Sequence, residues 1–307
     1  MGSLVRSIGL AVVIAAAIQG FTVGVLAPKL PREVVRPGVQ DYRTLTLPSA
    51  KLLQITNADG AVSVMPHERD IDAIEVMVDI RAYTQSYDTK AVAEQYAKTL
   101  IKVDSDSEAV TILTEPEERP DVVDLRVDYS VKVPEGTNIR LVGTNGNVWI
   151  AKGCGEITVQ GNNTDIEVLG ATKPVVAKST NGRIRVYDAE NTTTLETVNG
   201  SIYANMLKGK LQASTTNGNV YATLLAKDVE ACELNVMNGG ITLVMPEGCS
   251  AQVDACTGRG TVRSDFVFQE NTPAVRQREL HGSLGDGRSR LSLNSLNGDI
   301  WITRSTT

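Results

Sequence analysis

The sequence predicts an all-β chain. It reads as a single-chain parallel β-solenoid with coils of about 18 residues, preceded by an N-terminal transmembrane or signal helix and a small α/β cap. Three observations predict it. The dipeptide Asn-Gly recurs at Asn181, Asn199 and Asn217, 18 residues apart, and Asn145 and Asn163 fall on the same step upstream. Apolar residues alternate on both sides of each turn, as with Val175 and Ala177 before Asn181 and Ile184 and Val186 after it. Alternation of this kind marks half-buried strands. Two places before the Asn the residue is usually small: Gly143, Gly161, Ser179, Thr197, Thr215 and Ser295. A fixed period with a fixed small position is what stacked repeats produce.

The elements follow in order. Residues 8–27 carry no charge and follow Arg6. Twenty residues at 1.5 Å each span about 30 Å, one bilayer core, so residues 1–27 read as a signal anchor or signal peptide. Residues 28–45 begin with Pro28, Pro31 and Pro37 and read as a linker. Residues 46–138 read as N-terminal strands plus one helix capping the solenoid. Two short strands surround Asp59-Gly60, and a longer one covers residues 71–85. Asp88 suits the N-cap of a helix over 89–101, with Val92, Tyr96 and Leu100 on one face. Strand alternation returns in "EAVTILTEP" and "VVDLRVDYSVKVPEG". Residues 139–307 read as the solenoid repeats.

In a solenoid, successive coils stack about 4.8 Å apart. Asn145, Asn163, Asn181, Asn199, Asn217, Asn238 and Asn297 then form one column, able to hydrogen-bond along the axis. Asn238 and Asn297 continue the pattern after insertions expected to be small. The glycine after each Asn is expected to supply a positive φ. Asn-Gly between alternating strands is also the strongest hairpin signal, so a meander, sandwich or barrel stands as the alternative geometry. In the solenoid register, the outward positions four after the Asn include Trp149, Glu167, Arg185, Tyr203, Tyr221 and Trp301. Glu167 would pair with Arg185, Asp165 with Arg183, and Tyr203 would stack on Tyr221. This strip is the candidate binding surface.

Composition narrows the function classes. Hydrophobic residues make up 42% and aromatics only 4%, which suits a slender core of Val, Ile, Leu and Ala. A net charge of -6 gives no basic face for nucleic acid. Cys154, Cys232, Cys249 and Cys256 lack zinc spacing and read as buried free thiols, with Cys249 and Cys256 the nearest pair for a disulfide. His67 and His281 read as solvated loop residues, and "GSLGDG" as a turn, since no helix follows it. The clusters Asp104, Asp106, Glu108 and Asp121, Asp124, Asp128 lack a complete calcium ligand set. No catalytic, cofactor or metal residues are expected.

The segments "TNGNVWI", "TNGRIRV", "VNGSIYA" and "TNGNVYA" resemble the bacterial DUF4097 family, labelled "putative adhesins". The closing "HGSLGDGRSRLSLNSLNGDIWI" resembles that family's C-terminal signature, and "ITNADGAVSV" its entry strands. The resemblance covers about residues 51 to 304. It implies an exported or membrane-anchored β-solenoid and supplies no catalytic residues. The expected function is therefore a non-enzymatic, membrane-anchored extracytoplasmic solenoid for adhesion, scaffolding or envelope sensing. Its expected partner is a cell-envelope protein or glycan, with the membrane reached through the N-terminal helix. A carbohydrate-active β-helix enzyme using Asp165 and Glu167, and a self-assembling filament, are the alternatives.

Overall fold

The computed structural model describes residues 38–84, 100–114, 122–227, 229–269 and 278–305. The expected N-terminal apolar segment, the linker up to residue 37 and residues 89–99 of the expected helix lie outside them. Within the described residues every regular element is a strand. Ile101, expected to close the helix, opens a strand instead.

In chain order the strands are β1 (Gly38–Pro48), β2 (Leu52–Asp59), β3 (Val62–Pro66), β4 (Ala73–Thr84), β5 (Ile101–Ser105), β6 (Ala109–Thr114) and β7 (Val122–Val133). Two long strands follow, β8 (Asn138–Ile150) and β9 (Ile157–Leu169), each passing through its turn without a break. Then come β10 and β11 (Val175–Asn181, Ile184–Ala189), β12 and β13 (Thr193–Asn199, Ile202–Met206), and β14 and β15 (Lys210–Asn217, Val220–Leu224). The last are β16 and β17 (Ala231–Asn238, Ile241–Met245), β18 and β19 (Ala251–Arg259, Val262–Ser264), β20 (Glu279–Leu284), and β21 and β22 (Ser289–Asn297, Ile300–Arg304).

The strands on either side of an Asn-Gly turn do not pair with each other. β10 pairs in parallel with β9 and β12, with Val175 opposite Ile157 and Thr193. β11 pairs in parallel with β9 and β13, with Ile184 opposite Ile166 and Ile202. These are stacked coils, and the hairpin alternative is not the one the chain adopts. Two parallel ladders result. The first runs β6, β2, β8, β9, β10, β12, β14, β16, β21, β18. The second runs β7, β3, β8, β9, β11, β13, β15, β17, β22, β19.

Between the ladders lies a thin aliphatic core. Ile139, Leu141, Ile150, Ile157, Ile166 and Ile184 are each at most 2% exposed. Full burial of such a side chain is worth about 1.5–3 kcal/mol, so the inward alternation is the main stabilising term.

Spatial order departs from chain order at both ends. The step from Asn238 to Asn297 is 59 residues, and the inserted stretch is not a small loop. It contains β18 and β19, which stack on the far side of β21 and β22. At the other end β2 and β3 lie between β8 and the later strands β6 and β7. The first and last coils of the domain are thus enclosed by coils from within the chain. Antiparallel strands finish the stack: β5 on β6, β4 on β7 with β1 beyond it, and β20 on β18.

Candidate functional site

The corner of each coil is built from four positions, each with one physical task. The Asn side chains form a single column. Nδ2 of Asn163, Asn181, Asn199 and Asn217 donates to Oδ1 of the preceding Asn at 2.7–2.8 Å. Asn238 donates to Asn217 and Asn297 to Asn238, both at 2.9 Å. Asp59 stands opposite Asn145 at one end, and Arg259 opposite Asn297 at the other.

The next position holds glycine for want of space. A Cβ on Gly200 would lie 2.0 Å from the Gly182 carbonyl oxygen, and one on Gly218 2.0 Å from that of Gly200. Gly146 and Gly218 have positive φ, whereas Gly182 and Gly200 do not, so close stacking is the requirement they share. Where Thr164 takes the glycine position, Gly161 takes the small position, since a Cβ there would lie 2.4 Å from Thr164 Cβ.

The small position before the turn is a buried hydroxyl with a specific partner. Thr197 Oγ1 donates to the Gly182 carbonyl at 3.1 Å, and Thr215 Oγ1 to that of Gly200 at 2.9 Å. Ser295 and Thr257 do the same for Gly239 and Gly298. A corner carbonyl that would otherwise be buried without a donor is satisfied this way. The sequence showed the size of this residue and concealed its hydroxyl's task. Two places after the Asn, a side-chain oxygen accepts the next coil's backbone N–H, as Asp165 does from Arg183 at 2.7 Å and Asn219 from Gly240 at 2.8 Å.

The outward strip of the second ladder lies in register. Trp149 stands opposite Glu167, Glu167 opposite Arg185, Arg185 opposite Tyr203, and Tyr203 opposite Tyr221. Thr242 separates Tyr221 from Trp301. The two tyrosine rings are stacked at 4.9 Å and 10°. Arg185 lies 3.6 Å from Glu167, and Arg183 3.8 Å from Asp165. The Arg263 guanidinium sits 5.3 Å from the Trp301 ring centre. Such half-exposed pairs contribute at most about 1 kcal/mol each.

The concave space lies elsewhere, on the outer face of the first ladder. A groove of about 550 Å³ runs between the residues three and one before the Asn. Ser214, Asn235 and Asn294 form one wall; Thr216, Met237 and Leu296 form the other. A second hollow of about 490 Å³ continues it across Thr197, Ser214 and Thr216 toward Val198, Lys178 and Gln160. This face was not legible in the sequence because its outward residues vary in type from coil to coil. The available signal was the exposed aliphatic residues at one repeat position, Val198, Met237 and Leu296.

The remaining candidates are structural. Asp106 caps the β5–β6 hairpin, accepting from the backbone N–H of Glu108 and Ala109 at 2.8 Å, and these bonds hold its carboxyl below the usual range. Asp128 accepts from Ala61 N–H at 2.6 Å and pairs with Arg126. Asp121 lies outside the described residues. Among the described residues no three metal-ligating side chains converge. His67 Nε2 is 2.9 Å from the Ala73 carbonyl. His281 belongs to β20, not to a loop, and its Nδ1 is 3.0 Å from Asp254. "GSLGDG" ends β20 in a turn at Gly285. All four cysteines are free thiols. Cys154 and Cys232 are buried, Cys249 is half-buried, and Cys256 is exposed beside the groove, contrary to the buried reading.

The family model described as Toastrack DUF4097 matches residues 51–303. No curated protein matches the chain. A solved "putative adhesin" from Bacteroides fragilis NCTC 9343 is 12% identical, covering 87% of this chain and 97% of its own, with a TM-score of 0.47. A "Putative lipid binding protein" from Parabacteroides distasonis ATCC 8503 is 11% identical, with 88% and 98% covered and a TM-score of 0.49. A "putative cell adhesion protein" from Clostridium sporogenes ATCC 15579 is 11% identical, with 88% and 100% covered and a TM-score of 0.20.

Proposed function

The chain belongs to the Toastrack DUF4097 family, and from that premise we propose that it is a non-enzymatic binding module for adhesion, scaffolding or envelope sensing. It is held outside the cytoplasm by its N-terminal apolar segment, and its partner is a protein or glycan of the cell envelope. The observation that carries this reading is the outward strip. Stacked Tyr203 and Tyr221, the Glu167–Arg185 pair and the Arg263–Trp301 contact lie side by side on one sheet face. Aromatic and Arg side chains in such a row suit recognition of another surface. A glycosidase needs two carboxylates, one of them held protonated. Here Asp165 and Glu167 each face an arginine as ion pairs on an outward sheet face, an arrangement that supports binding over hydrolysis.

The test replaces Tyr203 and Tyr221 together by serine and measures retention of the purified chain on isolated envelope material. Retention should fall while the melting temperature moves by only a few degrees. Unchanged retention with a folded variant would remove the strip as the contact surface.

A further inference from the structure

We propose that the groove on the first ladder is a ligand site for an uncharged, linear glycan lying along the axis, across successive coils. The inference rests on the reading of the chain as a binding module and adds to the strip a second surface with its own ligand class. Four observations lead to it.

The lining is uncharged throughout: hydroxyls, side-chain amides, aliphatic chains, a thiol and a glycine. Anionic or cationic ligands find no counter-charge there. Farther along, Lys178 and Glu196 neutralise each other at 2.7 Å.

The two walls differ in chemistry. Ser214, Asn235 and Asn294 offer donors and acceptors; Met237 and Leu296, 50% and 54% exposed, offer aliphatic surface. A pyranose ring has the same division, with hydroxyls at its edge and C–H groups on its faces. An acyl chain would satisfy one wall and strip water from the polar wall opposite without offering it a hydrogen bond. A peptide adding as a strand needs a free sheet edge, and this groove lies on a sheet face.

The amide wall is fixed in advance. Asn294 Nδ2 donates to Asn235 Oδ1 at 3.1 Å and lies 3.3 Å from Ser292 Oγ, while Asn235 Nδ2 donates to Glu233 at 3.1 Å. A ligand does not have to order these side chains, which lowers the cost of binding.

The walls also repeat. Asn235 and Asn294 are direct neighbours in the ladder, as are Ser214 and Asn235. Ser214, Asn235 and Asn294 thus place one hydroxyl and two amides in succession about 4.8 Å apart. An equatorially linked sugar advances by close to that spacing per ring, so successive rings each meet one polar residue of that wall.

The test titrates the full chain with cellohexaose and N-acetylchitohexaose by calorimetry. Hexagalacturonate and phosphatidylcholine vesicles serve as the anionic and lipid probes. At least one neutral hexasaccharide should bind, and neither control should. Leu296→Asp and the pair Asn235→Ala with Asn294→Ala should each weaken binding about tenfold or more. Their melting curves report folding, and Met237→Asp is the second groove variant should either fail to fold. Met77→Ser, at an exposed position of β4 outside both surfaces, should leave glycan affinity unchanged. No binding of either neutral hexasaccharide at millimolar concentration overturns the proposal, as does binding indifferent to the groove variants. Vesicle binding abolished by Leu296→Asp overturns it in favour of an apolar ligand. Envelope retention lost with the tyrosines and kept in the groove variants leaves the binding-module reading standing without the glycan site. Glycan binding together with envelope retention indifferent to the tyrosines and to the groove sinks the broader reading alone.

Discussion

Replacing Asn199 by aspartate changes one amide nitrogen to oxygen and leaves the shape intact. It tests whether the asparagine column runs in one direction. In the parent, Asn199 Nδ2 donates to Asn181 Oδ1 at 2.7 Å, and its Oδ1 accepts from Asn217 at 2.8 Å. Aspartate keeps the second bond and loses the first, bringing two acceptor oxygens face to face. The lost bond is worth about 1 kcal/mol, and repulsion at this exposed site adds about as much again. A deficit of about 2 kcal/mol lowers the melting temperature by about 4–8 °C. Protonation restores a donor toward Asn181, so the new carboxyl's folded pKa lies above its unfolded value. With that sign, its favourable contribution is complete below the unfolded pKa and is lost as pH rises through the folded one. Urea unfolding of variant and parent at pH 7 and pH 3 should show the deficit at pH 7 and its near disappearance at pH 3. A variant equal to the parent at pH 7, or one with the same deficit at both pH values, would refute a directional column.

Other expectations follow from the same corner. Thr215→Val takes the hydroxyl from the Gly200 carbonyl and should cost about 1–2 kcal/mol in urea unfolding; a neutral result would mean the hydroxyl has no structural task. Val236 occupies the same position in its coil and brings no hydroxyl to Gly218, so Val236→Thr should gain up to about 1 kcal/mol in the same assay. Asp59 has a raised pKa, caused first by burial and then by Asp124, with Asp128 adding and Arg126 and Asn145 opposing. Its charge therefore opposes folding as pH rises through that pKa. Asp59→Asn should be slightly more stable than the parent at pH 7 and equal to it near pH 3, as read by thermal melts. Burial pushes the Cys154 and Cys232 thiols up to about 12. Iodoacetamide at pH 8 should label Cys256 in the native chain and reach Cys154 and Cys232 only after unfolding, as read by peptide mass.

The period was legible because each corner asks for the same residues. A Cβ at Gly200 meets a carbonyl at 2.0 Å, so the demand cannot be met by another residue without a compensating change such as Gly161 for Thr164. The reason for the glycine was not legible, since stacking distance leaves no mark on a single coil. Spatial order was hidden for a related reason. The coil with Arg259 in the asparagine position breaks the motif, so nothing in the sequence shows that β21 and β22 slip between it and β17. Upstream, Asp59 breaks the motif in the same way, although Leu53 and Ile55 stand opposite Ile139 and Leu141 in the regular register. The aromatic strip was visible because tyrosine and tryptophan stand out in a chain with so few. The groove was not, because Val198, Thr216, Met237 and Leu296 share a position and not a chemistry.

The two departures from asparagine fall where the column has to end. Every amide in it points the same way, with Nδ2 toward Asp59 and Oδ1 toward Arg259. Aligned amide dipoles leave partial positive charge at the donor end and partial negative charge at the acceptor end, as in a helix. An acid at the first and a base at the second match those partial charges and mark the column's direction, although at Asp59 burial and Asp124 outweigh this local gain. Both residues also stop it. An ionised Asp accepts without donating, and an Arg donates without accepting, so neither passes the pattern on. The backbone follows the same logic close by. The coil of Arg259 carries antiparallel β20 on its outer edge, and beyond the coil of Asp59 lie β6 and β7, closed by β5 and by β4 with β1. A second molecule adding end to end needs a free parallel edge and an open amide column, and the sequence withholds both at the same places. These ends weigh against the filament alternative and leave the outer faces of the two ladders as the surfaces proposed for recognition.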